Sequence, residues 1–261
     1  MKQFLILFFS ILTLPVSGVQ AQDPAQQFRI TDRSGNSISL TETHFIDSDG
    51  SAKTLKSFFA EKPVVISLIY YRCPDICGLV LNGMLDVFRE SEFVPGQDFK
   101  VVSISIDPKE DHVLARDKRE SALKPLREMK PNADWSFLTG SEAEIRKLSD
   151  QLGFAYGLDA KTGLYAHAPG IFILDNTGRI SATLFSVMYS KEVFDHVLMQ
   201  SSQGKLGSAW KRLSSFWKKY DPEKQDLIFD FKKVLATLLS ILIALVVFVF
   251  LLTRPQRVKD E

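Results

Sequence analysis

Apolar runs and amphipathic stretches alternate along the middle of the chain. Continuous apolar runs at 64–70 and 99–106 predict two buried strands, because a strand covered on both faces needs no alternation with polar residues. Helical periodicity follows the first run at 79–89 and the second at 113–130, where Pro125 is expected to interrupt or end the regular helix. The pattern predicts a β-α-β-α order.

The second half of the domain continues this alternation. Ser141 and Glu144 form a capping-box pattern at a helix start, and Asp175 to Gly178 is a turn sequence typical of a hairpin. The predicted elements are a strand at 135–138, a helix at 141–152, two strands at 171–174 and 180–185, and a helix at 190–200. We therefore expect an α/β fold in which helices flank a mixed central sheet.

The two ends of the chain have the composition of targeting and membrane segments. Residues 1–21 combine an early Lys2, an apolar stretch and small residues before a cleavage position, which predicts a secretory signal peptide; an uncleaved N-terminal anchor is the alternative. The run Val234–Leu252 contains no charged residue and is long enough to cross a bilayer. Residues 201–232 mix aromatic and basic side chains, which suits either a segment lying on the membrane surface or a solvated linker.

These segments predict the organisation of the whole chain. An exported N-terminus places the soluble domain in the periplasm or cell exterior, held at the inner (cytoplasmic) membrane by a single span. The predicted divisions are a signal peptide at 1–21, a domain at 22–200, a juxtamembrane segment at 201–232, a transmembrane helix at 233–253 and a cytoplasmic tail at 254–261. The net charge of +1 and the lack of a basic stripe argue against nucleic acid as a partner.

Cys73 and Cys77 are the only two cysteines of the chain, and they follow directly on the first predicted strand. If the next helix begins at this point, their spacing of four places both sulfurs on one helical face. A helix N-terminus lowers thiol pKa values, so both are candidates for thiolates that bind metals or attack disulfides. A structural disulfide is less favoured, because so short a loop would constrain the unfolded chain little.

A metal site with two thiolates requires a further ligand, and imidazole is the usual partner for copper or zinc. Of the four histidines, His167 lies in a loop just before a predicted central strand, and His112 follows the second strand as a weaker candidate. His44 and His196 are expected to be surface or packing residues. Met84, Met188 and Met199 carry thioethers that could contact copper, although methionine at helical spacing is more often a core residue. Asp75 is expected to be a carboxylate that favours the start of the helix.

The segment Cys73-Pro74-Asp75-Ile76-Cys77 resembles the CPDxC signature of the Sco/SenC family, the thioredoxin-like copper chaperones of cytochrome c oxidase assembly. Three further stretches resemble that family, and with the signature they span about residues 40–200. They are Ser105 to Asp111, Trp135 to Gly140, and His167 followed by Phe172 to Gly178. Three departures are Gly78, where the family often has proline, Arg72 before the first cysteine, and a membrane span at the C-terminus rather than the N-terminus.

The resemblance implies a thioredoxin-like fold and a site in which Cys73, Cys77 and His167 bind Cu(I) or Cu(II). It also implies delivery of that copper to the binuclear copper site of cytochrome c oxidase subunit II, with thiol reductants or other copper chaperones as further partners. Asp107 and Asp111 match an acidic loop of the family, for which we expect only a structural role or a partner contact.

Three other functions remain open at this point. The cysteine pair could form a thiol-disulfide oxidoreductase that keeps client cysteines reduced for metallation, which would make the protein an enzyme and would not need the histidine. Peroxidase chemistry would need one dominant low-pKa cysteine. A membrane-tethered interaction module would need neither thiol.

Overall fold

The structure is a computed structural model that describes residues 28–41, 43–73, 76–159, 162–206, 218–221, 226–229, 235–243 and 245. The predicted signal peptide and cytoplasmic tail lie outside the described residues, as does most of the juxtamembrane segment. Pro74 and Asp75, between the two cysteines, also lie outside them.

A seven-stranded mixed sheet forms the centre of the domain, in the order β2-β1-β5-β4-β3-β8-β9. Strands β3, β4 and β5 run parallel to one another, and the neighbours on either side are antiparallel. The strands are β1 (His44–Asp47), β2 (Ala52–Thr54), β3 (Val64–Ile69), β4 (Lys100–Ser105), β5 (Ser136–Gly140), β8 (Ile171–Leu174) and β9 (Ile180–Leu184). The predicted mixed central sheet is confirmed.

The central strands are apolar because both of their faces are covered. All six residues of β3 are buried, as are five of the six in β4. The two polar side chains at their centre, Ser67 and Ser103, lie opposite each other, and their hydroxyls are 2.7 Å apart. This pairing satisfies groups that would otherwise be buried without a partner.

Four helices cover the sheet: α1 (Ile76–Glu90), α2 (His112–Arg127), α3 (Glu142–Leu152) and α4 (Lys191–Ser202). The predicted cap of α3 is confirmed, since the Ser141 hydroxyl accepts a hydrogen bond from the Glu144 amide. Pro125 lies inside α2 and the helix continues to Arg127, so it precedes the helix end by two residues. Phe88 on α1 packs edge-on against Trp135 and Phe99 at the centre of the core.

Within residues 28–206, four short strands were not predicted from the sequence. Two of them, β1 and β2, extend the sheet edge, with β1 pairing antiparallel to β5. The other two, β6 (Tyr156–Leu158) and β7 (Tyr165–His167), form a separate antiparallel hairpin. Because β7 carries His167, this hairpin positions one of the predicted metal ligands.

The C-terminal region is described only in part. Strands β10 (Lys218–Asp221) and β11 (Asp226–Phe229) form a two-stranded antiparallel hairpin, and residues 235–243 are helical. Within the described residues, no helix reaches the length and hydropathy that a membrane crossing requires. Part of the run Val234–Leu252 lies outside those residues, so the predicted transmembrane helix stays a prediction.

Candidate metal centre

The two cysteines lie at the junction of β3 and α1, and they differ in their environment. Cys77 is the second described residue of α1 and is only 2% exposed, whereas Cys73 precedes the helix and is half-buried. The backbone amide of Cys73 donates to the Tyr70 carbonyl at 3.3 Å, which makes a turn at the end of the strand. Cys73 precedes the described helix, which begins at Ile76, and the two residues between lie outside the described residues, so the prediction that both sulfurs share a helical face stays a prediction.

His167 is the last residue of β7, and the β6–β7 hairpin holds it beside the sheet. It pairs with Tyr156 across the hairpin, and its ring packs on Phe154 with the centroids 5.4 Å apart. The ring nitrogen Nδ1 lies 3.1 Å from the carbonyl oxygen of Ala168. A carbonyl only accepts hydrogen bonds, so this contact assigns the proton to Nδ1 and leaves the lone pair on Nε2.

The lone pair of His167 faces a cysteine. Nε2 lies 3.0 Å from the Sγ of Cys77, and with the proton on Nδ1 the Cys77 thiol is the donor in this contact. Burial lowers the pKa of His167, and this effect exceeds the opposite effect of the hydrogen bond to the Ala168 carbonyl. The ring is therefore favoured in its neutral form. A neutral imidazole that donates its other N–H to a backbone carbonyl is the form in which histidine binds metals.

Cys77 is held as a thiol rather than a thiolate in the metal-free protein. Burial raises its pKa well above the ordinary value, and the hydrogen bond and negative charge of Cys73 act in the same direction. The prediction of a lowered pKa is therefore wrong for this residue: the loss of solvation outweighs the helix N-terminus. A metal that binds here must displace the thiol proton.

Tyrosine side chains surround the thiols. The Tyr70 hydroxyl is hydrogen-bonded to Cys73, and burial together with this contact raises the Tyr70 pKa. The Tyr70 ring packs edge-on against Tyr165 of β7 at 5.6 Å, which joins the cysteine segment to the histidine hairpin. Tyr165 in turn contacts Tyr156. Burial raises the pKa of Tyr156 to about 12, although the positive charge of the Arg146 guanidinium, 4.2 Å from the centre of its ring, acts in the opposite direction.

These side chains are close together but not arranged around an ion. In the described part of the chain, no group of three or more His, Cys, Asp or Glu has a geometry that could hold a metal as it stands. Thiolate and imidazole ligands at roughly 2.3 and 2.0 Å from a tetrahedral metal lie about 3.5 Å apart. The Cys77–His167 contact of 3.0 Å would therefore open by about half an ångström on binding.

The other predicted candidates are placed elsewhere. His112 begins α2 with its ring against Gly50, and it lines a cleft of about 560 Å³ together with His44. Met84 is buried in the core, whereas Met188 and Met199 are exposed.

The two acidic loop residues have structural contacts. Asp111 caps α2 by accepting from the Leu114 amide at 3.0 Å, a contact that lowers its pKa. Asp107 accepts from the Lys109 amide at 2.9 Å. Both contacts fit the structural role that we expected of this loop.

One buried carboxylate next to the site was not predicted. The Glu110 carboxylate is buried, with 5% of the residue exposed, and it accepts hydrogen bonds from the backbone amides of Tyr71 and Arg72, directly before Cys73. In the sequence it lies among charged residues between Asp107 and Asp111, so no hydrophobic pattern marks it as buried. The only available signal was its position just after a strand that neighbours β3.

Comparisons with known proteins found solved structures that are similar to this chain. A solved structure from Aquifex aeolicus VF5, described as a proposed electron transfer protein, is 21% identical over 66% of this chain and 95% of that one, with a TM-score of 0.57. ScoI of Bradyrhizobium japonicum with copper bound is 25% identical over 61% of this chain and 96% of that one, with a TM-score of 0.46. ScoI of Arabidopsis thaliana, also with copper bound, is 18% identical over 64% and 99%, with a TM-score of 0.48.

The search of curated proteins found no match. The family profile described as SCO1/SenC matches residues 31–200, which covers the seven-stranded sheet and its helices except for the last two residues of α4. The domain has the mixed α/β fold that the resemblance implied, with helices against a central sheet. The chain belongs to the SCO1/SenC family.

Proposed function

We propose that this protein is a membrane-tethered copper chaperone that delivers copper to the binuclear site of cytochrome c oxidase subunit II. Its proposed ligands are Cys73, Cys77 and His167. The observation that carries the proposal is the 3.0 Å contact between Cys77 Sγ and His167 Nε2, two residues separated by 90 positions in the sequence. The proposed role is transport of a cargo ion and not catalysis.

The chemistry of these donors favours copper. Soft thiolates select Cu(I), and imidazole also suits Cu(II), so two thiolates and one imidazole hold copper in either state. The half-buried Cys73 lies on the accessible side of the group and the buried Cys77 on the inner side. A client's thiolates could therefore replace Cys73 first, and the copper would pass without being released to water.

The proposed location is the outer face of the inner membrane, with the domain exported and tethered by the C-terminal span. The uncharged run Val234–Leu252 supports the tether, and residues 1–21 support the export. A tether of this kind would keep the domain near a client that is itself in the membrane.

A second function, thiol-disulfide exchange on client cysteines, is favoured by one specific observation. The two thiols are hydrogen-bonded to each other, and the pair combines a half-exposed Cys73 with a buried Cys77. An exposed thiol can attack a client disulfide, and the neighbouring buried thiol can then resolve the mixed disulfide. This activity would need no imidazole.

Copper transfer separates the two functions. The full-length chain, loaded with one Cu(I), is mixed in excess with copper-free subunit II domain, a one-electron oxidant is added to convert a filled site to its mixed-valence state, and the charge-transfer absorption of that binuclear site is followed. We expect His167→Ala to lose transfer and His112→Ala, the matched control, to transfer like the wild type. The chaperone proposal is overturned if His167→Ala supports client maturation while binding no copper, a result that would favour the reductase.

A further inference from the structure

Glu110 is a buried carboxylate next to the candidate site, and the proposed copper chemistry does not use it. One of its oxygens accepts from the Arg72 amide at 2.7 Å, and the other accepts from the Tyr71 amide at 2.7 Å and the Ser105 hydroxyl at 2.6 Å. None of the ion pairs between described residues includes Glu110. Its charge is therefore stabilised by these three donors.

The position of Glu110 explains why these bonds form. The ladder between β3 and β4 ends with the Ile106 amide donating to the Ile69 carbonyl at 2.7 Å. Beyond that point the amides of Tyr71 and Arg72 have left the sheet, and buried amides need acceptors. The carboxylate supplies both acceptors, so it continues the connection between the two strands for two more residues.

This connection reaches the residue before Cys73. The other cysteine is fixed independently, since Cys77 lies on the buried face of α1. The separation of the two sulfurs therefore depends on the backbone at Arg72, which Glu110 fixes from across the sheet edge, and on the turn from Tyr70 to Cys73.

We propose that Glu110 is a positioning residue, which sets the place of Cys73 relative to Cys77 and His167 and so determines how tightly copper is held. The inference rests on the proposed copper site. It extends that site to a residue that touches no ligand side chain and acts through the main chain of Tyr71 and Arg72. The loop between β4 and α2 thereby becomes part of the metal centre.

A second buried carboxylate provides a matched control. Asp175 is 1% exposed and accepts from the Thr177 amide and hydroxyl and from Arg179, all within its own hairpin turn. This turn follows β8, whereas His167 precedes that strand, so the two lie at opposite ends of it. A variant at Asp175 perturbs a buried carboxylate without touching the cysteine segment.

The test compares Glu110→Gln with Asp175→Asn in the full-length chain. Gln keeps the size and one acceptor oxygen, but it presents an N–H₂ group to the second amide. We expect Glu110→Gln to lower copper affinity about 10- to 100-fold in a chelator competition, the usual cost of losing a partner that orients a ligand. Its copper X-ray absorption should show fewer sulfur scatterers, whereas Asp175→Asn should match the wild type in both measurements.

Hydrogen exchange provides a readout that needs no copper. Exchange at the amides of Tyr71 and Arg72 should speed up at least tenfold in metal-free Glu110→Gln and stay unchanged in Asp175→Asn. If Glu110→Gln does not fold, Glu110→Asp serves in its place, because the side chain is shorter by about 1.5 Å and cannot reach both amides.

Two results would overturn the inference. One is a folded Glu110 variant with wild-type copper affinity and sulfur count, and the other is an equal loss of affinity in Asp175→Asn. A wild-type chain that binds no copper would instead overturn the proposed function, and the exchange rates would still show whether Glu110 holds the segment.

Discussion

The two segments that meet at the Cys77–His167 contact are held in different ways. Cys77 lies on a 15-residue helix packed into the core, and the strand before it is buried along its whole length. His167 lies on a hairpin of two three-residue strands, whose outer end exposes Leu158 and Leu164. The cysteine side is fixed by the core, whereas the histidine side depends on a few aromatic contacts.

This difference suits the proposed function, in which the protein both holds and releases an ion. A donor fixed in the core keeps the site in one place, and a donor on a small hairpin can shift by the half ångström that copper entry needs. The Tyr70–Tyr165 contact, with ring centroids 5.6 Å apart, is a second link between the two sides. Substitutions on the cysteine side should therefore change copper affinity or stability more than substitutions on the hairpin.

The largest expected effect is the loss of the fixed donor. Cys77→Ser keeps a hydroxyl that can donate to His167 Nε2, so the free energy of unfolding should change by about 1 kcal/mol or less. Copper affinity should fall by about 100-fold or more, since a lost ligand exceeds the cost of a lost orienting partner. His167→Ala, which leaves two thiolates, should lose less, and chelator competition under reducing conditions measures both. An equal or larger loss in His167→Ala would contradict the comparison.

A change in the packing of α1 tests what fixes this side. A Cβ on Gly83 would lie 1.9 Å from the carbonyl oxygen of Val187, so Gly83→Ala forces the helix and that backbone apart. We expect a loss of about 1–3 kcal/mol in the free energy of unfolding, measured in urea. Wild-type stability of this variant would show that α1 is not held at this contact.

The pH dependence of binding tests the state of Cys77. Because burial raises its pKa, the thiol is protonated at neutral pH, and copper must release that proton. The His167 pKa is lowered, so above about pH 6.5 the ring contributes no proton. Apparent copper affinity should rise about tenfold per pH unit for each proton released. Cys77→Ser should release one proton fewer on binding copper, so its affinity should rise less steeply with pH. An affinity independent of pH would refute the conclusion that Cys77 is a protonated thiol in the metal-free protein.

A change behind the histidine tests the hairpin side. Phe154→Leu removes the ring on which His167 packs but keeps an apolar side chain, so it should cost less than about 1.5 kcal/mol of stability. Copper affinity should fall by about tenfold or less, because the imidazole is less well oriented. The control is Phe194→Leu, at the aromatic contacts with Phe88 and Phe99, which should lose stability but not affinity. Equal affinities for the two variants would contradict the role given to Phe154.

The smallest expected effect is at Gly78. This residue lies in the first described turn of α1, is exposed, and has open space around an added Cβ. Gly78→Ala should stabilise the protein by about 0.5–1 kcal/mol, because glycine is unfavourable inside helices. Copper affinity should stay within about twofold of the wild type, since the substitution adds no contact. A destabilised variant would show that this turn is not helical.

The sequence predicted the elements whose pattern is dictated by burial. Strands β3, β4 and β8 are largely apolar runs, β9 follows the turn sequence Asp175 to Gly178, and the α3 helix has a capping signal at Ser141, so their places could be predicted. The β6–β7 hairpin was missed because each strand has only three residues and those of β7 are half-buried, which leaves no clear alternation.

The site could be predicted only in part. The cysteine spacing and the loop position of His167 indicated which side chains to consider, and the structure brings Cys77 and His167 into contact. The pKa of Cys77 was predicted in the wrong direction, because the depth of its burial depends on the packing of α1 and not on local spacing. Glu110 could not be identified, because a carboxylate that binds backbone amides of another segment has no sequence pattern.

The most direct test of the central claim is X-ray absorption of the copper-loaded, full-length protein, with His167→Ala measured beside the wild type. We predict two sulfur ligands and one imidazole nitrogen in the wild type, and two sulfurs without the imidazole in the variant. A wild-type spectrum without sulfur, or a spectrum that His167→Ala leaves unchanged, would contradict a copper site formed by Cys73, Cys77 and His167.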